Sequence, residues 1–418
     1  MKNTCSDRPS VLFETGSKFV NMPQTDCTTP SSSEISSVSE RNELLGYIFR
    51  TLNPLVEITD TPPSWPELLR VSQNEGLSIL LYKGMIKKGI NMPLSFRQSL
   101  KQEYINNWGR NVRIFEELAA LLSMLEIPVI VLKGTSLLSS VYDGLGFRVL
   151  GDVDVLVKPE DVSKIDKVLS QSGYRSDQEK RSYPVTNYLN SLVYGKNGSL
   201  LLLHVHWHLV NNALPNYIYA EKINMDKLWK EANPLKIRHA DALCLAPQHQ
   251  LLHLSEHAMK HSYNTLIHVW DIRQVINHWK EKLDWERVCR ESGEFQLRIP
   301  LYYSLWLCKE YFGTCVPQEV FASLRPRYKG IGERCFFFLL RKGKRKEKLC
   351  WLLYFSNIPG WQKRVKFVFR TLFPPSDVLT HMEADENGGN GNLSRKVAFR
   401  RLRKALRLFS KVPQEYDD

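Results

Sequence analysis

Val149-Leu150-Gly151-Asp152-Val153-Asp154-Val155-Leu156-Val157 is the stretch that decides how this chain is read. Carboxylates alternate with aliphatic residues, and strand side chains point to opposite faces with period two. Asp152 and Asp154 therefore share one face, while Val153 and Val155 anchor the other in a core. Two carboxylates so close repel one another unless cations intervene, and hard cations prefer oxygen ligands, so a pair of Mg2+ ions suits them. Such ions activate an attacking hydroxyl and neutralise a triphosphate during in-line displacement. Gly151, just before the pair, would let the backbone approach phosphates closely. Taken alone, the alternation also fits a half-buried strand with two solvent-facing aspartates.

Upstream, Ile127-Pro128-Val129-Ile130-Val131-Leu132 is a short β-branched run, the signature of a buried strand. Lys133-Gly134-Thr135-Ser136 predicts a turn with an N-cap candidate, and Leu137–Tyr142 continues as a helix. A strand–turn–helix step gathers free backbone N–H groups and helix-dipole charge at one point. Lys133, Thr135 and Ser136 add donors there for a β- or γ-phosphate. The GxxxxGK[ST] loop is absent. Downstream of the pair, Pro159-Glu160-Asp161 opens a helix from Val162 to Ser172 that stops at Gly173. Ser199–Leu209 reads as a third strand. Residues 126–243 thus form a strand–helix–strand–helix–strand unit.

Helical periodicity flanks this unit on both sides. Residues 1–38 are rich in Ser, Thr and Pro and are expected to be disordered. Residues 39–125 read as helices broken at Pro63-Ser64 and Asn91-Met92-Pro93. Residues 244–382 read as a C-terminal helical domain, with helices over His249–His261, Leu266–Trp279, Pro300–Phe312 and Trp351–Phe373 and a basic run from Arg341 to Lys346. Residues 383–394 are a Gly- and Asn-rich linker. In the tail, 395–418, Phe399, Leu402, Leu406 and Phe409 form one apolar stripe within a basic helix. That helix, over 395–411, suits an anionic membrane, RNA, or docking on its own protein.

With 418 residues, 43% of them hydrophobic, the chain is long enough for two or three domains. A formal net charge of +13 favours phosphate-bearing partners. The eight cysteines include no CxxC pair, which argues against a structural zinc site and suits a reducing compartment. Neither a secretory apolar core nor a window of about 18 apolar residues is present, so a cytoplasmic protein without a transmembrane segment is expected.

At this point the chain resembles a known family. Leu132-Lys133-Gly134, Arg148, Asp152-x-Asp154-x-Leu156-Val157, Gly173-Tyr174, His206-Trp207, the helix with His257 and His261, Trp270-Asp271-Ile272 and Leu372-Phe373-Pro374-Pro375 follow one another as in the uncharacterised bacterial nucleotidyltransferase family of the polymerase-β-like superfamily. The resemblance implies an α+β fold, a small mixed-sheet core flanked by N-terminal and C-terminal helical regions. It implies transfer of a nucleoside monophosphate from an NTP such as ATP, with Mg2+ or Mn2+ held by Asp152 and Asp154. Lys133, Gly134, Thr135, Ser136, Arg148 and Gly151 would bind the nucleotide. His206, His257, His261 and Asp271 would line the substrate cleft. The acceptor is left open between a small molecule, a sugar, a protein hydroxyl and RNA.

One position departs from the family pattern. Superfamily members place a third carboxylate two residues before the His-Trp pair, and here that residue is His204. Alternation puts His204, His206 and His208 on one face, opposite Val205, Trp207 and Leu209. Histidine does base work near neutral pH but is a poorer Mg2+ ligand. Either the site is adapted around a catalytic His204, or the metal site is weakened and the protein is a nucleotide-binding scaffold. His253, His257 and His261 repeat every four residues along one helix face. Catalytic zinc needs a third ligand, so the row reads as a metal pair or as cleft-lining and neighbour-bonded histidines, one of which Asp271 could orient.

Overall fold

The computed structural model describes residues 32–176, 190–210, 222–326, 331–341, 349–358 and 360–372. Its strands in chain order are β1 (Ile130–Val131), β2 (Val153–Leu156), β3 (Arg175–Ser176), β4 (Ser191–Gly195), β5 (Leu203–His206), β6 (Asn233–Ile237) and β7 (Ala240–Cys244). They form one sheet in the order β3-β4-β5-β2-β1-β7-β6. β2 runs antiparallel to β1 and parallel to β5, so the sheet is mixed and β2 lies at its centre. The α+β class expected from the sequence, a mixed-sheet core with helices on both sides, is the class observed.

The central placement changes the reading of the aspartate strand. β2 has strand neighbours on both edges and all four of its residues are buried, so Asp154 does not face solvent; it is only 3% exposed. Asp152 precedes the strand and keeps 47% of its side chain exposed. The third strand is shorter than the expected Ser199–Leu209, and β4 pairs with it antiparallel. The β6–β7 hairpin was not expected at all. Its turn carries Arg238-His239, with Arg238 at φ +54°, instead of the Asn-Gly or Asp-Gly pair that announces such hairpins. Pro234 is tolerated in β6 because that strand is the sheet edge.

The N-terminal helices are α1 (Ser32–Leu52), α2 (Trp65–Asn74), α3 (Ser78–Lys87) and α4 (Leu94–Ser123). Helix α1 opens inside the segment expected to be disordered. Ser64 caps α2, accepting a hydrogen bond from the Glu67 N–H. Within the core unit lie α5 (Lys133–Ser140) and α6 (Val162–Gln171), and Gly173 at φ +84° ends α6 as its glycine signal predicted. Between β5 and β6 lies α7 (Met225–Lys230), and after the last strand come α8 (Pro247–Lys260), α9 (Ile267–Trp279), α10 (Trp285–Glu294) and α11 (Arg298–Phe312). The expected helix Trp351–Phe373 is interrupted, giving Cys350–Asn357 and Trp361–Leu372, with Gly360 at φ +81° between them.

One contiguous apolar core joins the helices of both flanks to the sheet. Phe49 of α1 stacks on Tyr311 of α11 with ring centroids 4.3 Å apart, tying the first helix to the C-terminal region. Helix α4 also holds the loop that leads into β2. Asn107 donates to the Gly146 carbonyl at 2.8 Å, and Asn111 donates to those of Leu145 and Arg148 at 2.7 and 2.8 Å. Arg110 donates to the Leu150 carbonyl. Buried carbonyls need partners, so these side chains set where the aspartate strand begins.

Among the described residues Cys244, Cys289, Cys308, Cys315, Cys335 and Cys350 are free thiols. Among the described residues no helix is long and apolar enough to cross a membrane. The tail helix over 395–418, the linker 383–394, most of the Arg341–Lys346 run and Phe373-Pro374-Pro375 lie outside the described residues.

Candidate active site

The parallel register of β2 and β5 sets Asp154 beside His204 and Leu156 beside His206. Val153, Val155 and Val205 are essentially buried on the reverse face and lock this register. His206 Nε2 lies 2.8 Å from Asp154 Oδ1, and the two imidazole rings of His204 and His206 are 4.1 Å apart. His204 turns Nδ1 toward both aspartates, at 3.5 Å from Asp154 Oδ1 and 3.7 Å from Asp152 Oδ2. Its Nε2 is 2.8 Å from Ser191 Oγ on β4. His208, expected on the same face, lies beyond the end of β5 and turns its Nδ1 to Val210.

Lys133 closes the group from the other side. The Leu132 N–H bonds the Asp154 carbonyl, and Lys133 then takes φ +47°, the left-handed conformation that redirects the chain from strand to helix. Its Nζ reaches Asp154 Oδ1 at 2.7 Å. Burial by itself would raise the Asp154 pKa, but Lys133 and the His206 hydrogen bond outweigh it and hold the carboxyl well below its usual range. The contact with His204 likewise lowers that of Asp152. Burial pushes His206 down to about 4, so it stands neutral beside an ionised Asp154.

Helix α5 begins at Lys133, with no side-chain cap. Thr135 and Ser136 are therefore inside its first turn and not at the expected cap; both are 1% exposed. Ser136 Oγ accepts a hydrogen bond from Gln250 Nε2 at 3.3 Å, whereas Thr135 Oγ1 has no partner. Gly151 is exposed with open space around it. Gly134 is different, because a Cβ there would collide with the Arg148 guanidinium.

Arg148 cannot yield easily. Asp271 accepts from its Nε and Nη2 at 2.9 and 2.8 Å, and Tyr142 donates to the same carboxylate at 2.6 Å. Burial alone would lower the Arg148 pKa, but Asp271 reverses the shift and raises it. Asp271, expected at the substrate cleft, is instead 1% exposed beneath this clamp, and its oxygens are spent on positioning Arg148. Two expected results follow. Gly134→Ala should destabilise the fold by about 2–3 kcal/mol through overpacking against the clamped guanidinium, read as a lowered urea midpoint. Asp271→Asn should cost more, about 3–5 kcal/mol, because it leaves a buried guanidinium without its counter-charge. A midpoint unchanged in either variant would show that the clamp is not rigid.

The histidine row of α8 does flank the turn. His253 and His257 both feel the Lys133 charge, and burial pushes His253 down to about 3. His257 and His261 meet His268 of α9, with ring centroids 4.7, 5.0 and 5.6 Å apart. The sequence reading missed His268 and the buried Glu256, whose carboxyl burial raises to about 7. It also missed Ser191, because nothing in a linear pattern marks the partner of an imidazole one strand away. A second group, Glu231, His249 and Glu291, has its charges already matched by Lys227 and Arg287 and serves as an ion-pair network between α7, α8 and α10. Asp154, His204 and His206 are the cluster able to hold a metal ion at the sheet centre.

The sequence model of a family described as an uncharacterised nucleotidyltransferase matches residues 61–313. That span runs from the N-terminal helices through the sheet and the histidine row to the end of α11. No curated protein and no solved structure matches the chain.

Proposed function

The chain belongs to the uncharacterised nucleotidyltransferase family, and on that premise we propose that it moves a nucleoside monophosphate from an NTP to a hydroxyl acceptor, using a divalent cation. The acceptor class is a small molecule, a sugar or a protein hydroxyl. The observation that carries the reading is the convergence of Asp152, Asp154, His204 and Lys133 on one point beside the opening of α5. His204 Nδ1 stands 3.5 and 3.7 Å from two carboxylate oxygens, too far for a direct hydrogen bond and well placed around a shared cation.

Asp152 and Asp154 would hold that cation, with His204 at the third corner. When bound, it neutralises phosphate charge and activates the attacking hydroxyl. The N–H groups of Lys133, Gly134 and Thr135 open α5 and favour phosphate oxygens. Lys133, whose Nζ balances Asp154, is positioned to move onto the triphosphate. Ser136 and Gly151 would complete the nucleotide-binding set, and Arg148 behind Gly134 adds a fixed positive charge. His206, His257 and His261 would line the side from which the acceptor approaches. In the transfer the acceptor oxygen bonds the α-phosphorus, and the bond from that phosphorus to the pyrophosphate oxygen breaks. The hydroxyl proton leaves to water on the open side of Asp152.

The test is incubation of the full chain with each α-labelled NTP and a divalent cation, with and without RNA. Label is expected on a small product or on protein. Label on RNA would replace the acceptor class proposed here. NTP binding without any transfer would make the chain a nucleotide-binding protein and end the enzymatic reading.

A further inference from the structure

We infer that this centre is an imidazole–carboxylate metal site, selective for a zinc-class transition dication over Mg2+. The inference rests on reading Asp152 and Asp154 as the metal-holding residues. It goes beyond that reading by adding His206 to His204 as a second imidazole ligand and by setting the class of metal that the site selects. One donor each from Asp154, His204 and His206 lies within 4.8 Å of the others, with His204 Nδ1 3.5 Å and His206 Nε2 2.8 Å from Asp154 Oδ1, and Asp152 Oδ2, just before β2, approaches His204 Nδ1 at 3.7 Å. Two nitrogens and two oxygens are a set that tetrahedral Zn2+ accepts readily. Mg2+ demands a near-ideal octahedron of oxygens and gives up its water reluctantly, so each imidazole in place of a carboxylate disfavours it.

The surroundings of His204 fit a ligand better than a general base. Metal-binding imidazoles characteristically give their second nitrogen to an outer partner that fixes the ring. Ser191 Oγ, 2.8 Å from His204 Nε2 and nearly buried, is such a partner, and it leaves Nδ1 pointed at the carboxylates. The positive charge that now sits among the carboxylates is the Lys133 ammonium, 2.7 Å from Asp154 Oδ1. A cation arriving there takes over the role of the Lys133 ammonium and of the His206 N–H, and frees Lys133 for a phosphate.

The test uses the full-length protein, stripped of metal and without nucleotide, titrated separately with Co2+, Zn2+ and Mg2+. Co2+ also reports its ligands through its visible spectrum. Zn2+ and Co2+ are expected to bind about a hundredfold or more tightly than Mg2+, with the Co2+ bands of a four-coordinate site containing nitrogen. His204→Asp should move the selectivity toward Mg2+ by about tenfold or more while keeping a metal site. Ser191→Ala should weaken Co2+ about tenfold, through loss of ring orientation. The pair His257→Ala with His261→Ala should leave the Co2+ spectrum unchanged. Equal affinity for Mg2+ and Co2+, or a selectivity that His204→Asp does not move, would overturn the inference, as would a spectrum lost with His257 and His261. Because no NTP is present, these outcomes are independent of transfer. Tight Co2+ binding without transfer would end the enzymatic reading and keep the metal site, whereas transfer with an Mg2+-selective site would do the reverse.

Discussion

Asp152→Asn is expected to lower the rate of label transfer by roughly a thousandfold or more while leaving the fold intact. The size follows from the several kcal/mol that a correctly held cation contributes to charge stabilisation in the transition state. The selectivity of the effect follows from position. Asp152 lies before β2 with 47% of its side chain exposed, so its neutral amide isostere should change stability by no more than about 0.5 kcal/mol. Asp154→Asn is the instructive contrast. It should be at least as damaging to transfer, but it also strips the counter-charge from Lys133, whose side chain is only 15% exposed. Removing one partner of a buried pair costs about 3–5 kcal/mol, so this variant should unfold at clearly lower urea concentration. Single-turnover transfer and a urea curve on both proteins separate the two effects. An Asp152→Asn protein with near-normal transfer would remove Asp152 from the site.

The second large effect is a steep loss of stability in mild acid. His206 is held at about 4, and His253 and His268 at about 3, against an ordinary value near 6.5. Burial is the leading cause in all three. The sign follows from proton counting: between pH 6.5 and about 4 the unfolded chain binds protons at these histidines and the folded chain does not. Stability is therefore complete above pH 6.5 and is lost as the pH falls through that window. Glu256 opposes the trend, since its carboxyl, raised to about 7, is protonated in the fold before it is in the unfolded chain. Three histidines against one glutamate give a net uptake of two protons on unfolding, a slope of about 3 kcal/mol per pH unit. His249 and His257 are also lowered and add to it with the same sign. Urea midpoints at pH 7.5, 6 and 5 measure the slope. His253→Gln should flatten it by about 1.4 kcal/mol per pH unit. A midpoint that stays level from pH 7.5 to 5 would mean that these imidazoles are protonated in the fold.

Much of the site was legible because its parts are local. A two-residue alternation places Asp152 and Asp154 on one face wherever the strand lies, and a Lys-Gly step after a β-branched run predicts the turn that Lys133 makes. Gly173 stops α6 for a reason contained in a single residue. The misreadings share a different origin. Thr135 and Ser136 looked like cap residues because their hydroxyls suit that role, yet Lys133 adopts the left-handed conformation and starts the helix earlier. Asp271 looked like a cleft residue from its motif, but its partners Arg148 and Tyr142 lie more than a hundred positions away in the chain. The β6–β7 hairpin was invisible because Arg238 occupies a conformation that turn signals assign to glycine or asparagine.

By itself, then, the sequence determined the class of the fold, the order of turn, arginine and paired aspartates, and the substitution of His204 for the third carboxylate. The order of turn, arginine and paired aspartates follows from short-range stereochemistry, in which neighbours along the chain decide the outcome, whereas the α+β class and the place of His204 follow from the resemblance to the nucleotidyltransferase family. Only the tertiary structure decided that β2 is central and Asp154 buried, that Ser191 orients His204, and that α4 side chains hold the loop entering the strand. It also brought His206 and Lys133 onto the same carboxylate oxygen. Those relations depend on strand order and helix packing, where contacts between distant segments outweigh any local preference. The centre first read as two aspartates for Mg2+ becomes, once folded, Asp154 with two imidazoles around one point and Asp152 beside His204.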